Sequence, residues 1–243
     1  MFKRIKLFVS LCWLIVLALS LSGCQPARMM VPPDLRMHSH LYPCQGRQGF
    51  KLSERFTCGP YAVMDVQRGW THSHSWTIGR FRAAQARQNF EYRIVGPSGV
   101  VWYGQAATGV TKNDIRAETL GGELMWGLTY DMNFFVRIGT VGHVDRAWSL
   151  IMSQGSADKL VSGVLTDEQT VFRVEGVDRL EGTSMPLMEA SGYLFTLDGY
   201  NVAAVEVLNE GHIRLSTILD EFQSDLLAAA SAGLLLYRNI GGR

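Results

Sequence analysis

Four of the six histidines form two closely spaced pairs, and two tryptophans flank one of them: His38/His40, His72/His74, Trp70 and Trp76. Alternate side chains of an extended strand share a face, so each His-x-His pair would present two imidazoles together. Such a pair suits zinc or copper, but no carboxylate follows at ligand spacing. The pattern favours a half-buried strand with Trp70, His72, His74 and Trp76 on one face. The alternatives are a zinc or copper site and a face that binds a sugar or peptide.

Cys58 and His143 could form a nucleophile and its base. The segment TCGPYAVMDV (57–66) resembles the start of papain-like cysteine peptidases of the bacteriocin-processing type, in which Cys-Gly-Pro opens a helix. That resemblance implies a thiolate at Cys58, its pKa lowered by the helix end and an imidazole. It covers one tripeptide and a distant histidine, and residues 85–140 between them follow a strand pattern. In the competing interpretation, Gly59-Pro60 is a turn and Cys58 is half of a disulfide.

The N-terminus carries the most specific signal in the chain. Lys3, Arg4 and Lys6 precede an apolar stretch (7–21) that is too short for a stable membrane span, which is the layout of an export signal. The stretch ends in LSGC (21–24), which resembles the lipobox of bacterial lipoproteins. The resemblance implies removal of residues 1–23, a lipid on the Cys24 thiol and acylation of the new amino terminus, with palmitate as the expected acyl group. The alternative is an ordinary secreted protein with a cysteine near its cleavage site.

The residue after Cys24 bears on location. Gln25 stands where Asp, in lipoproteins of Gram-negative bacteria, is associated with retention at the inner membrane. The resemblance therefore implies the outer membrane, on its periplasmic face. Export also means an oxidising compartment, in which Cys44 and Cys58, 14 positions apart, are expected to form a disulfide.

The composition limits the class of partner. Loss of the signal lowers the Lys and Arg residues from 23 to 20 against 22 Asp and Glu, so the mature net charge is −2 with neutral histidines. This balance excludes the basic footprint of a nucleic-acid-binding domain. The expected partners are the membrane, through the N-terminal lipid, and another envelope protein or a cell-wall polymer, and no cofactor is expected.

Strand patterns dominate the mature chain. After a proline-bearing spacer (24–36), residues 37–243 are expected to form one domain. NFEYRIV and VVWYGQA flank the turn GPSG (96–99), KLVSGVL and TVFRVEGV form another hairpin, and three strands near the C-terminus turn at Asp198-Gly199 and Asn209-Glu210-Gly211. The order predicts a mainly β fold, with α+β possible. We expect an antiparallel sandwich or bent sheet with a C-terminal helix packed on it.

That helix is predicted over residues 217–238. Thr217 is its expected N-cap, with Asp220 as a partner three residues on. The stretch LLAAASAGLLLY (226–237) is apolar on nearly all sides, so the helix is expected to cover the C-terminal strands. No catalytic constellation is convincing, and the sequence favours a non-enzymatic envelope lipoprotein with a structural, assembly or partner-binding role. A cysteine hydrolase and a metal-binding lipoprotein are the alternatives.

Overall fold

Strands that alternate apolar and polar residues close into a barrel. The computed structural model describes residues 26–47, 53–69, 76–78, 81–83, 88–110, 132–140, 143–153 and 160–237. The strands are β1 (Ser39–Gln45), β2 (Ser53–Cys58), β3 (Tyr61–Gly69), β4 (Trp76–Ile78), β5 (Phe81–Ala83), β6 (Gln88–Val95), β7 (Val101–Val110), β8 (Met132–Thr140), β9 (His143–Ser153), β10 (Ser162–Thr166), β11 (Val171–Val177), β12 (Gly192–Leu197), β13 (Tyr200–Glu206) and β14 (His212–Ser216). The helices are α1 (Pro33–Met37) and α2 (Glu221–Leu236).

Within these residues, twelve strands form one closed antiparallel sheet. Their order is β1-β14-β13-β12-β11-β10-β9-β8-β7-β6-β3-β2, and β4 pairs with β5 separately. The prediction of a mainly β fold with a C-terminal helix on the sheet is confirmed, but the sheet is a barrel and not a sandwich. Closure pairs the first two strands at Cys44↔Cys58 and Gln45↔Thr57. Each edge of the sheet thereby finds a partner.

The predicted hairpins are confirmed in their turns as well as their strands. The β12–β13 turn places both Asp198 and Gly199 at positive φ (50° and 85°), which is the backbone that a two-residue hairpin favours. The β13–β14 turn has Asn209 and Gly211 at positive φ. Short turns of this kind connect neighbouring strands, so most of the barrel wall is built from contacts that are local in the sequence.

Helix α2 lies inside the barrel. Every residue from Asp225 to Leu236 is buried, and the helix contacts β13 and β14 on one wall and β6, β7 and β8 on the opposite wall. The prediction that it would cover the C-terminal strands is confirmed at β13 and β14, and the helix packs against β6, β7 and β8 as well. A helix that is apolar all round buries its whole surface in a closed barrel, whereas one face of a sheet would cover only part of it.

Tyr92 shows how the helix fits the barrel. Its ring points inward from β6, and its hydroxyl donates a hydrogen bond to the Ala229 carbonyl (2.7 Å). A Cβ at Gly104, its cross-strand neighbour, would overlap the Tyr92 ring, and a Cβ at Gly233 would lie 2.9 Å from the Tyr92 hydroxyl oxygen. Both positions therefore need glycine for close approach. Burial raises the pKa of Tyr92, which keeps its hydroxyl protonated as a donor.

The start of α2 differs from the prediction. Asp220, not Thr217, is the N-cap: its carboxylate accepts from the Gln223 N–H (2.7 Å), and the Gln223 side chain accepts from the Asp220 N–H (3.3 Å). Thr217 instead donates through its N–H and its hydroxyl to the His38 carbonyl (2.9 and 3.2 Å). Those bonds continue the pairing of β14 with β1, so the chain turns into the helix one turn later than predicted.

Barrel arginines bind the other end of α2. Arg47 donates to the carbonyl oxygens of Leu235 (2.9 Å) and Val207 (2.8 Å). Arg68 donates to the Leu236 carbonyl (3.2 Å) while its guanidinium lies 5.4 Å from the centre of the Phe90 ring. The last turn of the helix has no basic residue of its own, so cations from β3 and the end of β1 meet its unpaired carbonyls.

Candidate functional site

The N-terminal segment (residues 26–37) lies on the outside of the barrel and is not a free spacer. Met29 forms an antiparallel bridge with Leu180, the Met30 N–H donates to the Arg179 carbonyl, and the Glu181 N–H donates to the Arg28 carbonyl (both 2.9 Å). The prediction of a free spacer over residues 24–36 is therefore corrected for residues 26–36, the part that the structure describes. The cause is hydrophobic burial. The prolines favour extended backbone, but apolar side chains of the same segment are buried against the barrel wall.

A small hydrophobic cluster holds this segment. Met29, Val31 and Leu35 are buried together with Ala204 of β13, and Leu194 packs against them. A Cβ at Gly192 would collide with the Met29 sulfur, so the glycine leaves the space that Met29 fills. The cluster lies on the outer face of the barrel, separate from the interior that α2 fills.

Glu206 at the end of β13 joins the segment to the barrel electrostatically. Its carboxylate is buried, and one oxygen accepts a hydrogen bond from the Met29 N–H (3.2 Å). The other carboxylate oxygen lies 3.4 Å from Nδ1 of His212, the residue of β14 that pairs with Glu206. A buried carboxylate needs such partners, so the entry of the chain onto the barrel is fixed in one place.

An open groove of about 460 Å³ lies beside the segment. Its lining includes Met30, Val31, Met37, Val177, Arg179 and Leu194. The groove runs between the N-terminal segment, with α1, and the outward-facing residues of β11 and β12. Its walls are largely apolar and open to solvent, which is the character of a contact surface more than of a catalytic cleft.

Four exposed methionines lie on the two segments that pair beside the groove, residues 26–37 and 178–191. The exposed fractions are 47% for Met30, 72% for Met37, 75% for Met185 and 87% for Met188. The last two lie on the β11–β12 connection (178–191), which is held to the groove wall by hydrogen bonds from Leu187 to Asp178 and from Ser191 to Val177. We call the groove together with these four methionines the tether face. The four exposed methionines were not predicted, because nothing in the local sequence distinguishes an exposed methionine from the buried Met29.

The tether face carries charges of both signs. The segments that build it contribute Arg28, Arg36, Arg179, Asp34, Asp178, Glu181 and Glu189. Arg36 and Glu181 form an ion pair (2.7 Å) that joins α1 to the β11–β12 connection. Because acids and arginines nearly balance, the face has no strong net field, and its apolar side chains are its distinguishing feature.

The two predicted disulfide cysteines are paired. Cys44 and Cys58 form a disulfide where β1 meets β2, and Cys58 is fully buried. Gly59 and Pro60 form the turn between β2 and β3, with Gly59 at positive φ (57°), and no helix starts at Cys58. A sulfur in a disulfide cannot act as a nucleophile, so the role that the peptidase resemblance implied for Cys58 does not fit this arrangement. His143 is the first residue of β9, and its side chain lies outside the described part.

The histidine pairs do not gather into a metal site where the structure can be read. His38 follows α1 and donates through Nδ1 to the Asp34 carbonyl (3.1 Å), while His40 on β1 lies beside Tyr42 (6.2 Å between ring centres); both are exposed. In the described ranges no three His, Cys, Asp or Glu side chains converge as metal ligands. Trp70, His72 and His74 lie outside those ranges, and of Trp76 only the backbone is described, so the prediction of their shared face stays a prediction.

Asp225 is a buried acid at the end of the barrel where α2 begins. The Ser98 hydroxyl donates to it, and a Cβ at Gly96 would overlap its other oxygen. Burial raises the pKa of Asp225, the Ser98 hydrogen bond opposes that rise, and the Glu221 carboxylate adds to it. Neither Ser98 nor Asp225 has a histidine beside it in the described contacts. The pair therefore fixes the β6–β7 turn to the helix and lacks the base of a hydrolytic triad.

Two further findings bear on function. No helix among the described residues is long and apolar enough to cross a membrane. No family model, no curated protein and no solved structure shows a significant match to the chain. The function therefore has to be argued from the sequence signals and the geometry of the tether face.

Proposed function

We propose that this protein is an exported envelope lipoprotein that acts without catalysis, as a structural or partner-binding barrel held at a membrane by a lipid on Cys24. The observation that carries the proposal is the position of the LSGC motif, which ends five residues before Met29, where the chain becomes fixed to the barrel wall. An export signal that leads into a lipidation motif, followed at once by a folded domain, is the organisation of an anchored protein.

The disulfide supports an exported location. Disulfides persist in oxidising compartments and are rare where thiols are kept reduced. The Cys44–Cys58 bond joins β1 to β2, the neighbours that the closing of the barrel brings together. An oxidising compartment therefore suits the way this barrel closes.

The filled barrel supports a role without catalysis. Helix α2 occupies the interior, and polar groups of the wall hold it there: the buried Tyr92 contacts Ala229, and the partly buried Arg47 contacts Leu235. The nucleophile of the hydrolase alternative is paired in the disulfide. The surface that remains available for contact is the outside, and the partner expected there is another envelope protein or a cell-wall polymer.

Lipidation is tested by labelling bacteria that express the full chain with an alkynyl palmitate analogue. We expect label on the mature protein, and a mass that fits acylation of a chain beginning at Cys24. Cys24→Ala should abolish both, whereas Cys12→Ala, which changes only the signal, should keep them. A mature chain that carries a free Cys24 thiol would contradict the proposal.

Location is tested on the same strains by separating inner and outer membranes. We expect the protein in the outer membrane of a Gram-negative host. Gln25→Asp should move it toward the inner membrane without changing the label on Cys24. Equal distribution of the two variants would show that the residue after the cysteine does not direct this chain.

A further inference from the structure

We propose that the tether face rests on the surface of the bilayer, with its exposed methionines in the interfacial layer. The inference rests on the proposed lipidation of Cys24 and gives the anchored barrel a fixed orientation. It names the membrane itself as the occupant of the groove and of the apolar surface around it.

The chain between Cys24 and the barrel wall is short. Met29 is five positions after Cys24, a distance of at most about 18 Å when the chain is fully extended. Met29 is fixed by its bridge to Leu180 and by its N–H bond to Glu206. A lipid on Cys24 therefore holds the bilayer surface within this distance of Met29, next to the groove.

Exposed apolar side chains recur on the two adjoining segments that build the tether face. Isolated exposed apolar residues are normal on a protein surface, but several on adjoining segments indicate a contact site. Four of the large exposed apolar residues are methionines of the tether face, and the most exposed of them, Met188, is 87% accessible. Unbranched methionine side chains adapt to an irregular environment, as the interface of a bilayer is.

Positive and negative charges nearly balance on the tether face. Its arginines, Arg28, Arg36 and Arg179, are matched by carboxylates on the same segments, and Arg36 is paired with Glu181. Electrostatic attraction to anionic lipid needs an excess of positive charge, which this surface does not have. The membrane contact is therefore carried by apolar burial and should respond little to salt.

Footprinting of the lipidated full chain tests the orientation. The protein is reconstituted into vesicles of phosphatidylethanolamine and phosphatidylglycerol, treated with a hydroxyl-radical source, and mapped by mass spectrometry. The reference is the chain beginning at Gln25, which retains every described residue, in solution without vesicles. We expect Met30, Met37, Met185 and Met188 to be protected on vesicles, while Val171 and Phe222 label equally in both samples.

Three other results would overturn the proposal. Protection of Met30 and Met37 alone, with Met185 and Met188 still labelled, would mean that the acyl chain folds into the groove. Protection of all four in solution, in a sample that elutes as a dimer, would mean that a second copy covers the face. Equal labelling of all four with and without vesicles would mean that the face points away from the membrane.

A binding measurement separates the face from the anchor. The chain beginning at Gln25 should partition weakly onto the same vesicles, and Met185→Ser with Met188→Ser should reduce partitioning about tenfold. Val100→Ser with Val171→Ser is the matched control, since both valines are exposed and Val171 lies at the far end of β11 from the tether face. Raising the salt should change partitioning by less than about twofold.

The outcomes of the two sets of experiments are distinguishable. Loss of palmitate label with Cys24 unmodified rejects the lipoprotein, whatever the vesicles show. A labelled protein whose methionines remain exposed, and whose Met185 and Met188 variant partitions like its control, keeps the lipoprotein and rejects the docked face.

Discussion

The barrel interior and the tether face both carry methionines, which are buried in the interior and exposed on the tether face. Met152 on β9 is fully buried inside the barrel, whereas Met188 on the β11–β12 connection is 87% exposed. Hydrogen bonds hold α2 in the interior at both ends, through Asp220 at its start and Arg47 at its end. Apolar side chains inside the barrel therefore maintain the fold, and those on the tether face are available for contact with something outside it.

The small cluster around Met29 stands between these two regions. It buries Met29, Val31 and Leu35 on the outer wall, while the next residue, Met30, remains half exposed. Alternate residues of one short segment thus attach the chain to the barrel and present a side chain outward. The buried contacts of this segment and the exposed surface beside it consequently lie in the same place.

The largest expected difference between the two regions is the cost of removing one side chain. Phe134 is fully buried and packs between Phe90 and Tyr237, with ring centres 6.1 and 4.6 Å away. Phe134→Ala should lower the free energy of unfolding by about 3–5 kcal/mol. Met188→Ala on the tether face should change it by less than about 0.5 kcal/mol. Urea unfolding of both variants measures the contrast, and equal losses would show that the tether face is part of the core.

The disulfide should be next in size. Replacing both Cys44 and Cys58 by Ser removes a cross-link that closes 14 positions of chain, which costs about 3 kcal/mol in the chain-entropy model. Among the described residues two pairs join β1 to β2 in the register, and the disulfide links one of them. A reductant should reproduce the loss in the native protein and have no effect on the double variant. Unchanged unfolding after reduction would contradict this role.

The bonds at the end of α2 should contribute somewhat less. Arg47→Met leaves the Leu235 and Val207 carbonyls without their charged donor and should cost about 2 kcal/mol. Arg173→Met, on the exposed side of β11, is the matched control and should be near neutral. Equal urea midpoints for the two variants would mean that the helix end does not depend on Arg47.

The smallest effect should be a pH dependence at Asp225. A buried carboxyl with a raised pKa resists ionisation in the folded state, so its ionisation opposes folding as the pH rises from the unfolded value of about 3.9 through the folded one. Asp225→Asn cannot ionise. Its stability relative to the native protein should therefore be higher at neutral pH than in acid, as measured by urea unfolding across that range. A difference that is independent of pH would show that Asp225 does not titrate in this window.

Much of the wall was predictable because its signals are local. NFEYRIV alternates toward and away from the interior, Asp198-Gly199 takes the backbone of a tight hairpin, and Cys44 finds Cys58 once β1 and β2 are neighbours. The sequence predicted Thr217 and not Asp220 as the N-cap. The cause is non-local, because the Thr217 hydroxyl donates to the carbonyl of His38, the residue just before β1. The tether face was missed because exposure depends on which surfaces the barrel leaves uncovered.

The sequence by itself determined most of the strands after residue 88, their hairpin turns, the disulfide partners and a helix whose C-terminal half is apolar on nearly all sides, because backbone preference and side-chain periodicity act over a few residues. Only the tertiary structure decided that the sheet closes, that α2 lies within it, and that residues 29–35 pack outside. Those outcomes depend on contacts between segments far apart in the chain, such as Tyr92 with Ala229 and Met29 with Glu206. Among the described residues, the same contacts decide which methionines are buried and which remain exposed on the tether face.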